Sequence, residues 1–143
     1  VTPLILLVED NPSDEKLTLL AFRSCTVPHE LLVLRDGQQA LEHLFAEKLG
    51  LQRPALMLLD LKLPRVDGFE VLRRVRAEPS LSALPIVVLS ASAEQEDIER
   101  SYGLGANAYV RKPVDFGDFT SAVQTLGEFW LRWNERAPER TGL

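Results

Sequence analysis

The run Ala55-Leu56-Met57-Leu58-Leu59-Asp60 decides the fold. Five apolar residues without polar alternation are closed by a single carboxylate. A strand with one face in water alternates polar and apolar side chains, whereas a parallel strand covered by helices on both faces is apolar throughout. Ala55–Leu59 therefore reads as a buried parallel strand, with Asp60 at its carboxyl end.

Working outward, Leu4–Val8 and Pro85–Leu89 repeat the pattern, and Leu31–Leu34 and Ala108–Val110 are shorter strands. Amphipathic segments separate them. Pro12 opens the first helix at a position where its missing N–H costs nothing, and Leu17, Leu20 and Ala21 are its expected inner face. Asp36 caps the second helix, with Gln39 at capping-box distance and Ala40, Leu41 and Leu44 inward. Gly68–Ala77 is the third helix, stopped by Pro79; Glu94–Gly103 is the fourth, with a thin apolar face. Asp115 caps a fifth that runs through Trp133. Five strands alternating with five helices predict an α/β fold, a flavodoxin-like doubly wound parallel sheet of order 2-1-3-4-5. Residues 1–133 form one domain including the extended last helix, and 134–143, without apolar periodicity, are expected to be a flexible tail.

The 143 residues are 45% hydrophobic and 26% charged, which suits one globular domain. A net charge of -5 argues against a general nucleic-acid binder. The longest apolar runs are far too short to span a bilayer, and Val1-Thr2-Pro3 opens no signal peptide. Cys25 is the single cysteine and reads as a small filler in a reducing cytoplasm. His29 and His43 stand apart from it and from each other, which disfavours zinc.

Polar residues cluster where strands end: Glu9 and Asp10, Asp60, Ser90, and Lys112 before Pro113. Each alone reads as a cap or turn residue. In an open α/β sheet, however, ligands bind beyond the carboxyl ends of the strands, where strand order reverses. Glu9, Asp10 and Asp60 should converge there. Carboxylates brought together must protonate, spread or bind a cation, and an all-oxygen set favours Mg²⁺. Lys112 adds a positive charge and Ser90 a hydroxyl. A cation, an ammonium and a central carboxylate nucleophile are what phosphoryl transfer to Asp60 requires.

From about Leu4 to Leu126 the chain resembles a response-regulator receiver domain. The matching stretches are Val8-Glu9-Asp10-Asn11, Leu59-Asp60-Leu61-Lys62-Leu63-Pro64 with Asp67-Gly68, Leu89-Ser90-Ala91, and Tyr109-Val110-Arg111-Lys112-Pro113. The resemblance implies that Asp60 is phosphorylated, Glu9 and Asp10 form an acidic pocket, and the backbone carbonyl of Lys62 joins Asp10 and Asp60 around Mg²⁺. It further implies a Ser90–Tyr109 switch pair and a cis Lys112–Pro113 bond. Arg35-Asp36-Gly37, Gly105-Ala106-Asn107, Lys112-Pro113-Val114-Asp115-Phe116 and Phe129-Trp130-Leu131 resemble the stand-alone regulators paired with phytochrome histidine kinases. The implied protein is a cytoplasmic phosphoacceptor of a two-component phosphorelay. It would be no enzyme beyond self-catalysed phosphoryl transfer and autodephosphorylation, and would signal by protein contact. Lys62 places a cation where the family often has a neutral residue; it either steers donors and tunes phosphoryl lifetime or points to water.

Phe119, Val123, Leu126, Trp130 and Trp133 share one stripe of the last helix. That helix should be about 30 Å long, against about 17 Å for a five-residue strand. Phe129, Trp130 and Trp133 should overhang the sheet and be buried in a homodimer or under the tail. Three rivals remain. An Mg²⁺-dependent aspartyl phosphatase would want an acid where Lys62 stands. A flavin or nucleotide module would want a Gly-rich loop where the chain has Glu9-Asp10-Asn11-Pro12. A receiver that docks without phosphate differs only in a labelling assay.

Overall fold

A computed structural model describes residues 2–46 and 53–138. The elements are β1 (Leu4–Val8), α1 (Pro12–Arg23), β2 (Glu30–Leu34), α2 (Gly37–Phe45), β3 (Leu56–Leu59), α3 (Gly68–Ala77), β4 (Ile86–Ser90), α4 (Gln95–Gly103), β5 (Ala108–Arg111) and α5 (Phe116–Glu128). A 3₁₀ turn at Pro79–Leu81 follows α3, and a π-helical turn at Phe129–Trp133 continues α5. The five strands are parallel in the order β2-β1-β3-β4-β5, as expected.

Alternation within the central strands sorts their side chains to two cores. Leu6, Val8, Met57 and Leu59 face α2 and α3 residues such as Leu41, Leu72 and Val75. Ile5, Leu7, Leu56 and Leu58 face Phe22 of α1 and Phe119 and Val123 of α5. Both faces of β1 and β3 are thus dry, which is why those segments carry no polar residue. The strand ends sit side by side because the register pairs Val8 with both Leu34 and Leu59.

The helices start on side-chain caps. Asn11 Oδ1 accepts from the N–H groups of Ser13 and Asp14, Asp67 Oδ1 from Glu70, and Asp115 Oδ2 from Asp118. Asp36 Oδ1 accepts from Gln39 N–H at 2.7 Å. The reciprocal bond of a capping box is displaced by one residue, since Gln39 Oε1 accepts from Arg35 N–H rather than from Asp36.

Two expectations about helix faces need correction. Leu20 is exposed, and α1 turns Thr18, Ala21 and Phe22 inward, with Cys25 beyond its end packed on the same core. These residues follow the i, i+3, i+4, i+7 stripe; Leu20 lies two positions from Thr18 and from Phe22, about 200° around the helix. At the other end, Phe119, Val123, Leu126 and Trp130 keep the predicted stripe, but Trp133 leaves it and is 69% exposed. The cause is the π turn, closed by Asn134 N–H donating to Phe129 O at 2.7 Å, whose extra residue rotates Trp133 off the stripe.

Beyond Trp133, residues 134–138 are irregular, and Arg136 Nη2 reaches Pro54 O at 3.5 Å. This stretch leaves Phe129 and Trp133 uncovered; the rest of the predicted tail lies outside the described residues. No helix among the described residues is long and apolar enough to cross a membrane.

Candidate phosphoacceptor site

Glu9, Asp10, Asp60, Ser90 and Lys112 all lie at the carboxyl edge of the sheet. Asp60 follows β3, and its backbone N–H donates to Val8 O at 3.1 Å, so it lies beside the end of β1. Glu9 N–H donates to Leu34 O at 2.9 Å, which fixes the turn out of β1. Lys112 N–H donates to Ser90 O at 2.7 Å, carrying the lysine back over the sheet. Glycine at position 68 lets the chain after β3 come close: a Cβ there would lie 2.3 Å from Asp60 O. Gly68 N–H instead donates to Leu61 O at 2.8 Å, closing the loop that holds Asp60.

The Lys112 ammonium is the hub. Its Nζ lies 2.8 Å from Glu9 Oε1, 2.9 Å from Asp14 Oδ2 and 3.0 Å from Asp60 Oδ2. Lys112, Glu9 and Asp60 are buried, whereas Asp10 is exposed. Asp60 Oδ1 accepts from Leu61 N–H at 2.8 Å, so one oxygen faces the ammonium and the other is held by backbone. Burial pushes the Glu9 carboxyl up to about 7 against the pull of Lys112. Burial also works against the charged form of Lys112. Its hydrogen bonds to Asp14 and Glu9 and the charges of Asp60 and Glu9 outweigh that, and hold the ammonium protonated well above its ordinary value.

Carboxylate oxygens of Glu9, Asp10 and Asp60 lie within 4.8 Å of one another. Hard oxygen donors at this spacing suit a hard divalent cation. Glu9 has both oxygens engaged, with Oε1 on Lys112 and Oε2 accepting from Asn11 N–H at 3.2 Å. Asp60 is engaged in the same way, so burial separates the three: Asp10 is exposed and Asp60 is 8% exposed against 1% for Glu9, which puts Glu9 furthest from an entering cation.

Ser90 is buried at the end of β4, and its Oγ accepts from Ser92 N–H at 3.2 Å. Tyr109 is half-buried against the α2/α3-side core, and its hydroxyl donates to Ser92 O at 2.8 Å. The predicted switch pair is therefore joined through the backbone of Ser92. Ser92 Oγ in turn donates to Asp97 Oδ2 at 2.6 Å, tying the junction to α4. The Lys62 side chain is exposed.

One expectation is overturned. The Lys112–Pro113 bond is trans, and no cis peptide occurs among the described residues. The trans form is the lower in energy before proline, by about 0.5–1 kcal/mol, and from it Lys112 already reaches three carboxylates. Two residues were missed. Asp14 looks like an ordinary first-turn acid of α1, although its place four residues after Asp10 puts it one turn from the strand end. Ser92 carries no signal beyond standing two residues after Ser90.

Residues 5–124 match the response regulator receiver domain family. The chain is 41% identical over 136 residues to the probable methanogenesis regulatory protein FilR2 of Methanothrix harundinacea, covering 94% of this chain and 87% of that protein. It is also 41% identical over 129 residues to response regulator Rcp1 of Synechocystis sp., covering 89% and 88%. A crystal structure of the Mn²⁺-bound form of response regulator Rcp1 matches with a TM-score of 0.87 at 38% identity, over 95% of this chain and 99% of that one. The phosphorylated cyanobacterial phytochrome response regulator RcpA matches with a TM-score of 0.90 at 39% identity, over 96% and 100%. The chain belongs to the response regulator receiver domain family.

Proposed function

We propose that this receiver domain accepts a phosphoryl group on Asp60 from the phosphohistidine of a sensor histidine kinase, and that the kinase is of the phytochrome type. The observation that carries the reading is the buried contact of Lys112 Nζ with Asp60 Oδ2 at 3.0 Å, beside the Glu9–Asp10–Asp60 cluster. The likeness to Rcp1 and RcpA supports the choice of kinase.

In the transfer, an Asp60 carboxylate oxygen forms a bond to phosphorus while the bond from phosphorus to the donor imidazole breaks. Asp10, Asp60 and the backbone carbonyl of Lys62 would hold Mg²⁺, which when bound supplies positive charge against the phosphoryl oxygens. Lys112 donates one N–H to a phosphoryl oxygen in place of Asp60, and Ser90 donates its hydroxyl to another. Phosphorylation leaves about -1.5 to -2 of charge on the group, which Lys112 is placed to meet. The domain works in the cytoplasm and catalyses only its own phosphorylation and dephosphorylation. Its output is contact with other proteins, and Phe129 and Trp133 are exposed for a homodimer seam on the last helix with Trp130 beneath them.

Acetyl phosphate with Mg²⁺ should label the parent with acid-stable, hydroxylamine-labile phosphate, and Asp60→Asn should abolish the label. Undiminished labelling of Asp60→Asn would sink the assignment. A panel of histidine kinases, phytochromes among them, tests the donor: transfer from other kinases with none from a phytochrome would remove that part.

A further inference from the structure

The least expected contact in the site is Asp14 Oδ2 to Lys112 Nζ at 2.9 Å. An ammonium has three N–H donors and no acceptor, and Lys112 spends one on each of Glu9, Asp14 and Asp60. The three carboxylates come from three places: the turn after β1, the first turn of α1, and the end of β3. Asp60 gives up its share when a phosphoryl oxygen arrives, and Glu9 is bound into the turn through Asn11. Asp14 needs neither adjustment. Its side chain is 26% exposed, so it sits on the solvent side of Lys112, against 2% for Glu9 and 10% for Asp60.

We propose that Asp14 is a positioning residue that anchors Lys112 on its solvent side, and that its negative charge slows entry of an anionic phosphodonor to Asp60. The inference rests on Asp60 being the phosphoacceptor. With Asp14 counted, the edge holds four carboxyl groups, three on the ammonium and Asp10 beside them, and with Glu9 ionised one ammonium and a divalent cation leave it one charge negative. An incoming phosphate dianion meets that charge. Asp14 Oδ2 and Asp60 Oδ2 lie 2.9 and 3.0 Å from the same nitrogen and so are at most about 6 Å apart, which brings the Asp14 charge to the mouth of the acceptor. In the partly aqueous mouth of a site, a unit charge at that distance changes a rate by about three- to ten-fold.

Asn at this position keeps an oxygen that can accept from Lys112 but loses the charge, and Glu keeps the charge. Initial labelling rates should be measured for the parent, Asp14→Asn, Asp14→Glu and Asp14→Ala at saturating Mg²⁺ and subsaturating acetyl phosphate, over a range of ionic strengths. The expected result is labelling about three- to ten-fold faster in Asp14→Asn than in the parent at low salt, through a lower apparent KM for the donor. Salt should accelerate the parent and Asp14→Glu more than Asp14→Asn, because screening matters only where repulsion remains. Asp14→Ala loses the contact with Lys112 as well as the charge, so it should label more slowly than Asp14→Asn while sharing its weak salt dependence. A change in folding alone would not alter the salt slope. Asp14→Asn labelling no faster than the parent, or with the parent's salt dependence, or Asp14→Ala labelling as fast as Asp14→Asn, overturns the inference while leaving the Asp60 assignment intact. A parent that takes no label, or an Asp60→Asn that labels like the parent, overturns both.

Discussion

Replacing Lys112 with methionine tests whether the ammonium holds the acidic edge of the sheet together. Methionine keeps most of the apolar stem, so the packing of the aliphatic part is nearly preserved. What disappears is the charge shared by Glu9, Asp14 and Asp60, whose side chains are 2%, 26% and 10% exposed. Removing one partner of a buried ion pair leaves its counter-charge uncompensated, at a cost of about 3–5 kcal/mol. Two responses reduce that figure here. Glu9, already pushed up to about 7, takes up a proton, and Asp14 turns to water. The loss should therefore lie near the lower bound, about 3 kcal/mol. With a urea slope of about 1.5 kcal/mol per molar, this is a shift of about 2 M in the midpoint with no change in slope. The assay is urea unfolding in the presence of a chelator. Saturating divalent cation should recover part of the loss, since a ligand at 100 times its Kd stabilises by about 2.7 kcal/mol. The Glu9→Gln change should cost about 1–3 kcal/mol less in the Lys112→Met background than in the parent, because the two residues share one contact. A Lys112→Met midpoint within about 0.3 M of the parent, which is about 0.5 kcal/mol at that slope, would refute the reasoning.

Gly68→Ala puts a Cβ 2.3 Å from Asp60 O and 2.7 Å from Leu61 Cα; the loop must move, at about 1–3 kcal/mol, and acetyl phosphate labelling should fall with it. Unchanged unfolding and labelling would show that the close approach does not matter. Glu70 is held down to about 2 by its hydrogen bond to Arg73, with Arg74 adding to the pull. Its folded value lies below its ordinary one, so its contribution is present above about pH 4.5 and is lost as pH falls through about 2. The stability difference between the parent and Glu70→Gln should shrink over that interval, and a constant difference counts against it. Sedimentation of Phe129→Ala/Trp133→Ala should show fewer dimers than the parent if the exposed rings form the seam; an unchanged dimer fraction removes it.

What was legible in the sequence follows burial. Leu4–Val8 and Ala55–Leu59 could be read because both of their faces are covered, and such strands have no room for polar residues. The capping aspartates could be read because a carboxylate before an amphipathic run has few other uses; Asp36 and Asp115 both cap. The carboxyl-edge cluster emerged once strand order was assumed, since order alone brings Glu9, Asp10 and Asp60 together. Asp14 was illegible for the opposite reason. Acidic residues are ordinary in a first helical turn, and nothing in their spacing says that a lysine 98 residues later arrives there. Leu20 and Trp133 misled because hydrophobicity marks what can be buried, while the faces of α1 and of the π turn are set by a rotation that sequence does not display.

The contacts around Ser92 alter how the switch should work. A switch pair could work by Ser90 moving first and Tyr109 following into the space left behind. In the structure Tyr109 is already half-buried, with its hydroxyl on Ser92 O, while Ser92 N–H donates to Ser90 Oγ. A serine hydroxyl has one proton to give and two lone pairs to receive. Ser90 can therefore donate to a phosphoryl oxygen while keeping its bond from Ser92. The bond from Ser92 N–H then continues through Ser90 to the phosphoryl group and the two polarise one another, while the Tyr109 bond falls on the next peptide unit and shares only the position of Ser92. On that geometry, charging Asp60 would tighten a packing the chain already has. The hydrogen bond of Ser92 Oγ to Asp97 carries the same junction into α4, so the surface that responds begins at α4 and need not wait for a side chain to cross the core.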